Sequence, residues 1–102
     1  MTEHRSSTRH PVNIDVTVTH EEISTDQVMV NLSLGGALIT VDERLPLGAS
    51  VDLEFRVPTA EVPINVRAGV RWVGDDSTGV QFDGLRAREV WSLNEFFKRL
   101  QA

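Results

Sequence analysis

Hydrophobic and polar residues alternate along most of the chain up to Phe82, and this period of two predicts β-strands that bury one face. The clearest runs follow Pro11 and precede Pro58, where apolar side chains occupy every second position. A polar connection is predicted over residues 21–26, and a hairpin turn over residues 74–77. The predicted strands are residues 12–18, 27–32, 37–41, 51–57, 64–72 and 79–82.

The period of the apolar residues changes after residue 84, where spacings of three, four and three predict an amphipathic helix over about residues 86–101. Six short strands followed by one helix cannot form alternating βαβ units, which excludes a doubly wound parallel sheet. We therefore predict an all-β fold, a closed six-stranded antiparallel β-barrel without exposed sheet edges, with a C-terminal α-helix packed against it. The helical stripe that would contact the barrel consists of Val90, Leu93, Phe97 and Leu100.

Two aromatic residues of the predicted helix, Trp91 and Phe96, lie off this stripe. Either they broaden the surface that faces the core, or they form an apolar patch for another molecule. The second alternative makes a homodimer or a separate protein partner a candidate assembly.

The chain has 102 residues, a length that supports one compact domain and excludes an enzyme with a cleft between two lobes. Because it contains no cysteine, disulfides, thiolate metal sites and a cysteine nucleophile are excluded. Its polar first residues lack the apolar segment of a secretory signal, and no stretch approaches the roughly 20 apolar residues that cross a bilayer. These features predict a soluble cytoplasmic protein that is not inserted in a membrane.

The formal net charge is -5, which argues against general binding of DNA or RNA through neutralised phosphates. An anionic ligand would have to be held by a local group of cations. Nine of the ten basic residues are arginine, the side chain that suits two-pronged contacts with phosphate and guanine. The alternative is that the many arginines reflect a compositional preference of the source genome.

Motifs for catalysis or cofactor binding are missing from the sequence. It has no glycine-rich phosphate loop, no HExxH and no nucleophile elbow. The three histidines, His4, His10 and His20, do not have the spacing of a metal-binding helix, and we expect them to be solvated. We predict that the protein is not an enzyme and holds neither a metal nor a cofactor.

Two short motifs remain as candidates for ligand binding. Arg5 and Arg9 lie four positions apart in residues 1–10, which we expect to be a flexible arm ahead of a barrel domain over residues 11–102.

The second motif runs from Asn31 to Gly36, at the end of a predicted strand. Asn31 and Ser33 share one strand face, and the glycine pair that ends the motif permits a turn with close backbone approach. Two guanidinium groups of the arm could fold over an anion bound there. A second Arg-x-x-x-Arg, at 67–71, lies within a strand and is expected to be solvated.

The order of arm, strand, turn, strand and glycine-ended hexapeptide resembles the PilZ domain family, bacterial receptors for cyclic di-GMP. That family combines an RxxxR arm and a [DN]xSxxG motif on a six-stranded barrel followed by a helix. The resemblance covers nearly the whole chain. Asn31 stands where Asp is commoner, and His4 stands where many members have another arginine.

The resemblance implies a role for each motif residue. Arg5 and Arg9 would contact the phosphates and guanine edges of cyclic di-GMP, Asn31 and Ser33 would hydrogen-bond the ligand, and Gly36 would give the backbone its shape. Trp72 matches a tryptophan that lies against a guanine in some members. Its place in the apolar alternation of its strand is equally consistent with packing in the core.

The function implied by the resemblance is that of a cyclic di-GMP receptor acting as a signalling adaptor. Ligand would order the arm and so create or hide a face for an unidentified effector protein. Motility and biofilm formation are the processes that such receptors control. The alternative is an adaptor of the same fold that binds no nucleotide.

Overall fold

The computed structural model describes residues 8–101, which form six strands and one helix. In chain order they are β1 (His10–His20), β2 (Ile23–Leu32), β3 (Gly36–Thr40), β4 (Ser50–Phe55), β5 (Ile64–Val73), β6 (Ser77–Phe82) and α1 (Ala87–Gln101). The strands close into a barrel in the order β1-β2-β3-β6-β5-β4, and every neighbouring pair is antiparallel. This confirms the predicted fold class. No helix in residues 8–101 is long and apolar enough to cross a membrane.

The interior of the barrel is filled by the alternate residues of each strand. In β4, for example, Val51, Leu53 and Phe55 are buried, whereas Asp52 and Glu54 between them are exposed. Burying an apolar side chain of this size contributes about 1.5–3 kcal/mol, so the inward rows supply most of the driving force for folding. The largest fully buried side chains are Phe55, Met29, Leu32, Ile39, Leu53, Ile64 and Leu93.

The helix α1 packs on the barrel through a face that is turned from the predicted stripe. Leu93 and Phe97 are buried as expected, but Leu100 is 44% exposed. Phe96 joins the core, whereas Trp91 is 61% exposed. Phe96 therefore broadens the surface that faces the core, and the alternative that placed Trp91 in the core as well is wrong. The stripe predicted from spacings of three and four is too narrow, because a helix that packs on a barrel buries a wider face.

Two hydrogen bonds fix the start of α1 and its distance from the barrel. The Arg86 backbone N–H donates to Oε1 of Glu89 at 2.9 Å, which satisfies a donor that a helix start leaves free and explains the burial of Glu89. The Thr59 hydroxyl donates to the Ser92 carbonyl at 2.6 Å and joins the β4–β5 loop to the helix.

The polar connection predicted over residues 21–26 is wrong, because β2 already begins at Ile23. Only Glu21 and Glu22 lie between β1 and β2, and both have positive φ angles, 51° and 71°. Tight antiparallel hairpins favour this backbone geometry. The turn could not be recognised in the sequence, because Asn and Gly usually occupy positions with positive φ and glutamate does not indicate such a turn.

Replacing Glu21 and Glu22 by Asn and Gly should stabilise the fold, because these residues adopt positive φ with little strain. We expect the free energy of unfolding to rise by about 1 kcal/mol, and the melting temperature by about 4–8 °C. The matched control replaces both residues by Ala, which removes the same two charges but keeps both Cβ atoms. An equal gain in the control, or no gain in the Asn-Gly variant, would show that the backbone there is not strained.

Candidate ligand-binding site

The turn between β2 and β3 is organised by the side chain of Ser33. Its hydroxyl accepts hydrogen bonds from the N–H groups of Gly35 and Gly36, at 3.1 and 3.2 Å, and donates to the Gly36 carbonyl at 3.3 Å. The Ser33 backbone N–H donates to the same carbonyl at 2.9 Å. A hydroxyl has one proton and two lone pairs, so these contacts use its full capacity. Ser33 is buried, and its side chain shapes the turn from within.

Gly36 lies directly against the backbone of β6. A Cβ atom at this position would overlap the Val80 carbonyl oxygen and come within 3.2 Å of the Gln81 Cα. The neighbouring Gly35 carbonyl accepts a hydrogen bond from the Phe82 N–H at 2.8 Å, which also ties the turn to β6. Glycine is therefore required at position 36 by close approach between strands.

Asn31 connects the start of β1 with β3. A register shift between Met29 and Asn31 places Asn31 opposite Leu38. Its Oδ1 accepts hydrogen bonds from the Leu38 backbone N–H at 3.1 Å and from Nη1 of Arg9 at 3.4 Å. Among residues 8–101, no hydrogen bond involves its Nδ2, so this half-buried amide group has two donors to offer.

The structure thus brings together residues from both sequence motifs. Arg9 is exposed just before β1 and contacts Asn31, 22 positions later in the chain. Arg5, the other arginine of the first motif, lies outside the described residues, and its predicted contact with a ligand stays a prediction.

Trp72 is 53% exposed, so the alternative that placed it in the core is wrong. A register shift between Val70 and Trp72 interrupts the alternation of β5, and Arg71 and Trp72 both face outward. The indole lies against two glycines of the β5–β6 hairpin: a Cβ on Gly79 would be 3.2 Å from the Trp72 Cβ, and one on Gly74 would be 2.5 Å from the ring.

Strand pairing places Trp72 and Asn31 in one row across the outside of the barrel. Asn31 is opposite Leu38, Leu38 is opposite Gly79, and Gly79 is opposite Trp72. With strands about 4.8 Å apart, the row spans about 14 Å from the Asn31 backbone to that of Trp72. We call Arg9, Asn31, Leu38, Gly79 and Trp72 the ligand surface. Sequence reasoning missed Leu38 and Gly79. The hairpin turn predicted over residues 74–77 implies that Gly79 lies opposite Trp72, so the sequence did contain a signal for Gly79.

His10 is not solvated as the sequence predicted. It is 8% exposed, and its ring stacks on that of Phe97 with the centroids 4.1 Å apart and the planes inclined by 16°. His10 faces inward at the end of the barrel that α1 covers. His20 is half-buried, and His4 lies outside the described residues. Within residues 8–101, no three His, Asp or Glu side chains are grouped so that they could hold a metal ion.

The second Arg-x-x-x-Arg motif has the position that was predicted for it. Arg67 and Arg71 are exposed on β5, whereas Val66 and Val70 are buried. Nε of Arg67 lies 3.2 Å from Oδ1 of Asp52 on β4, in an ion pair that is exposed on both sides. Both arginines lie on the outer surface of the strand, as the sequence predicted.

A family model of the PilZ domain matches residues 3–99. The chain therefore belongs to the PilZ domain family, a family of cyclic di-GMP receptors whose domains bind ligands and partners. No curated protein matches the chain by sequence comparison.

Several solved structures share the fold. The Bacillus subtilis inhibitor of motility, MotI/DgrA, superposes with a TM-score of 0.84 at 24% identity over 98% of this chain and 52% of its own. The PilZ domain of CeSA from a cellulose-synthesizing bacterium gives 0.70 at 20% identity, over 90% of this chain and 97% of its own. Borreliella burgdorferi PlzA, solved in complex with c-di-GMP, gives 0.71 at 13% identity, over 95% of this chain and 41% of its own. The chain spans about half the length of MotI/DgrA, and at these identities the likeness shows the fold alone.

Replacing Gly36 by Ala should destabilise the protein, because the added methyl group meets the backbone of β6 rather than a movable side chain. We expect a loss of about 1–3 kcal/mol in the free energy of unfolding, measured by chemical denaturation. Gly69→Ala is the matched control: Gly69 also pairs with Gln81, from the other side, and its added Cβ would meet only the flexible end of Arg71 at 4.0 Å. Equal losses in the two variants would contradict this account of Gly36.

Proposed function

We propose that the protein binds cyclic di-GMP at the ligand surface and acts as a signalling adaptor. The observation that carries this proposal is the contact between Arg9 and Asn31. It joins the RxxxR arm to the NxSxxG motif in a chain whose family consists of cyclic di-GMP receptors. A ligand with two phosphates and two guanines needs cations and polar donors at one place, and the two motifs supply both.

Arginine is the side chain best suited to this ligand. A guanidinium group donates two parallel hydrogen bonds to phosphate oxygens or to O6 and N7 of guanine, and its plane can also stack on a base. In this proposal Arg9 supplies one such group beside Asn31, and Arg5 supplies the other from the N-terminal arm. The overall charge of -5 opposes a dianionic ligand, so binding depends strongly on these two local cations.

In the second motif, one residue would contact the ligand and two others support the turn. Asn31 offers its Nδ2 donors to the ligand, either to a phosphate or to the acceptor edge of guanine. Ser33 and Gly36 hold the turn, because the Ser33 hydroxyl is used within it and Gly36 lies against β6. We therefore expect Ser33 to act on affinity through the shape of the turn, and Asn31 to act directly.

Trp72 offers a flat aromatic surface at the far end of the row from Asn31. More than half of its surface is exposed, and Gly74 and Gly79 beneath it leave room for the ring to lie along the barrel. A base stacked on an aromatic side chain contributes about 1–3 kcal/mol to binding. A dinucleotide can thus be held at both ends, by polar contacts at Asn31 and by stacking at Trp72.

The output of binding in this proposal is an ordered arm. Cyclic di-GMP bound between the arm and the barrel would fix the arm, and the changed surface would be recognised by an effector protein. The protein would then act in the cytoplasm on processes such as motility or biofilm formation, without catalysing a reaction. A neighbour of the same fold is an inhibitor of motility, which is consistent with that class of output.

Isothermal titration calorimetry with cyclic di-GMP tests the site. Arg9→Ala and Arg5→Ala should each weaken binding by about 10–100-fold, the effect of losing a hydrogen bond to a charged group. Arg67→Ala is the matched control, because Arg67 is an exposed arginine of the second Arg-x-x-x-Arg and is paired with Asp52. Equal weakening at Arg67 would overturn the assignment of the arm. If the unaltered protein does not bind cyclic di-GMP, the adaptor that binds no nucleotide becomes the correct description.

The two tryptophans allow a second test by intrinsic fluorescence. A guanine stacked on Trp72 should quench its emission, so Trp72→Phe should abolish the change that cyclic di-GMP causes. Trp91→Phe should preserve the change, because Trp91 lies on α1 and is not one of the residues of the ligand surface, although its exposure is similar. If the quenching is lost in Trp91→Phe and kept in Trp72→Phe, the ligand does not lie on Trp72.

A further inference from the structure

We propose that His10 is a positioning residue for the arm: its stack on Phe97 holds the start of β1 so that Arg9 faces Asn31. This inference rests on the proposed function for its effect on affinity. The stack itself, and its effect on the order of Arg9, can be measured without ligand.

The backbone holds the start of β1 only weakly. His10 is opposite Leu32 and Pro11 is opposite Asn31, but the register then shifts before the next pair, at Ile14. On its other edge, β1 pairs with β4 only over residues 16–19. Pro11 has no N–H, so it cannot donate a hydrogen bond to the ladder in this short segment. The segment that carries Arg9 into the site therefore depends on its side chains.

The inward side chain of that segment is His10. Arg9 directly precedes this buried residue, is itself exposed, and contacts Asn31. The ring of His10 lies nearly parallel to that of Phe97, with 4.1 Å between the centroids. Aromatic pairs favour stacked arrangements of this kind. Phe97 is itself fixed, because it packs on Phe96 at 6.1 Å and lies in the core cluster with Leu93.

The space around the stack makes the ring hard to replace. A cleft of about 530 Å³ opens beside it, lined in part by Thr8, Leu34 and Trp91. Removal of the His10 ring would widen this cleft rather than let another side chain move into contact. Arg9 would then be released in the ligand-free protein, and ordering it again would oppose binding.

Calorimetry with cyclic di-GMP on three variants tests this role. His10→Ala should bind about tenfold more weakly, the effect of ordering about one additional residue. His10→Phe, which restores a ring able to stack on Phe97, should bind like the unaltered protein. His20→Ala, at the other end of the same strand, should also bind like the unaltered protein. A fourth variant, Val51→Ala, controls for general destabilisation: it should lower the melting temperature without weakening binding.

A second measurement follows the backbone of Arg9 by ¹⁵N relaxation in the absence of ligand. In the unaltered protein and in His10→Phe, the order parameter of its N–H should be close to the rigid value of about 0.85. In His10→Ala it should fall toward the flexible range, below about 0.6. The proposal is overturned if His10→Ala leaves that order parameter unchanged, or if His10→Phe binds as weakly as His10→Ala. If the unaltered protein does not bind cyclic di-GMP, the proposed function fails, whereas the relaxation result still decides the role of His10.

Discussion

The barrel closes where the backbone of Gly36 lies against that of Val80, with no side chain between them. This close approach lets β3 pair with β6, and that pairing closes the ring that the β1–β4 pairing completes on the other side. Without it, the strands would form one open sheet with β3 and β6 at its two edges, and Asn31 and Trp72 would no longer lie in one short row. The row that runs across the ligand surface, from Asn31 through Leu38 and Gly79 to Trp72, therefore exists because position 36 has no Cβ.

The motif that includes Gly36 combines support of the turn with polar groups at the surface in a few residues. Ser33 uses its hydroxyl within the turn, and Gly36 makes the turn compatible with β6. Within residues 8–101, Asn31 uses its Oδ1 to accept hydrogen bonds from Leu38 and Arg9, and no hydrogen bond involves its Nδ2. Ser33 and Gly36 therefore support the turn, and Asn31 keeps amide donors for other contacts.

Sequence reasoning predicted the barrel because each strand that it identified has one buried face, a property set by local alternation. It failed where the alternation along one strand does not decide. The register shift before Trp72 turns its side chain outward and leaves only the exposed alternative, and alternation cannot show an inserted residue in advance. His10 is buried because α1 covers the end of the barrel, which depends on how a distant helix docks. The turn at Glu21 and Glu22 uses positive φ angles that glutamate does not signal.

The most direct test of the central claim is a titration with cyclic di-GMP followed by ¹H–¹⁵N NMR of the whole chain. The account predicts that the amide shifts concentrate on Arg9 and His10, on residues 31–38, and on Trp72 and Gly79. Amides on β4, on the other side of the barrel, should stay in place. A ligand that shifts β4 and leaves the turn of Ser33 unchanged would contradict the account, as would a saturating titration without any shift.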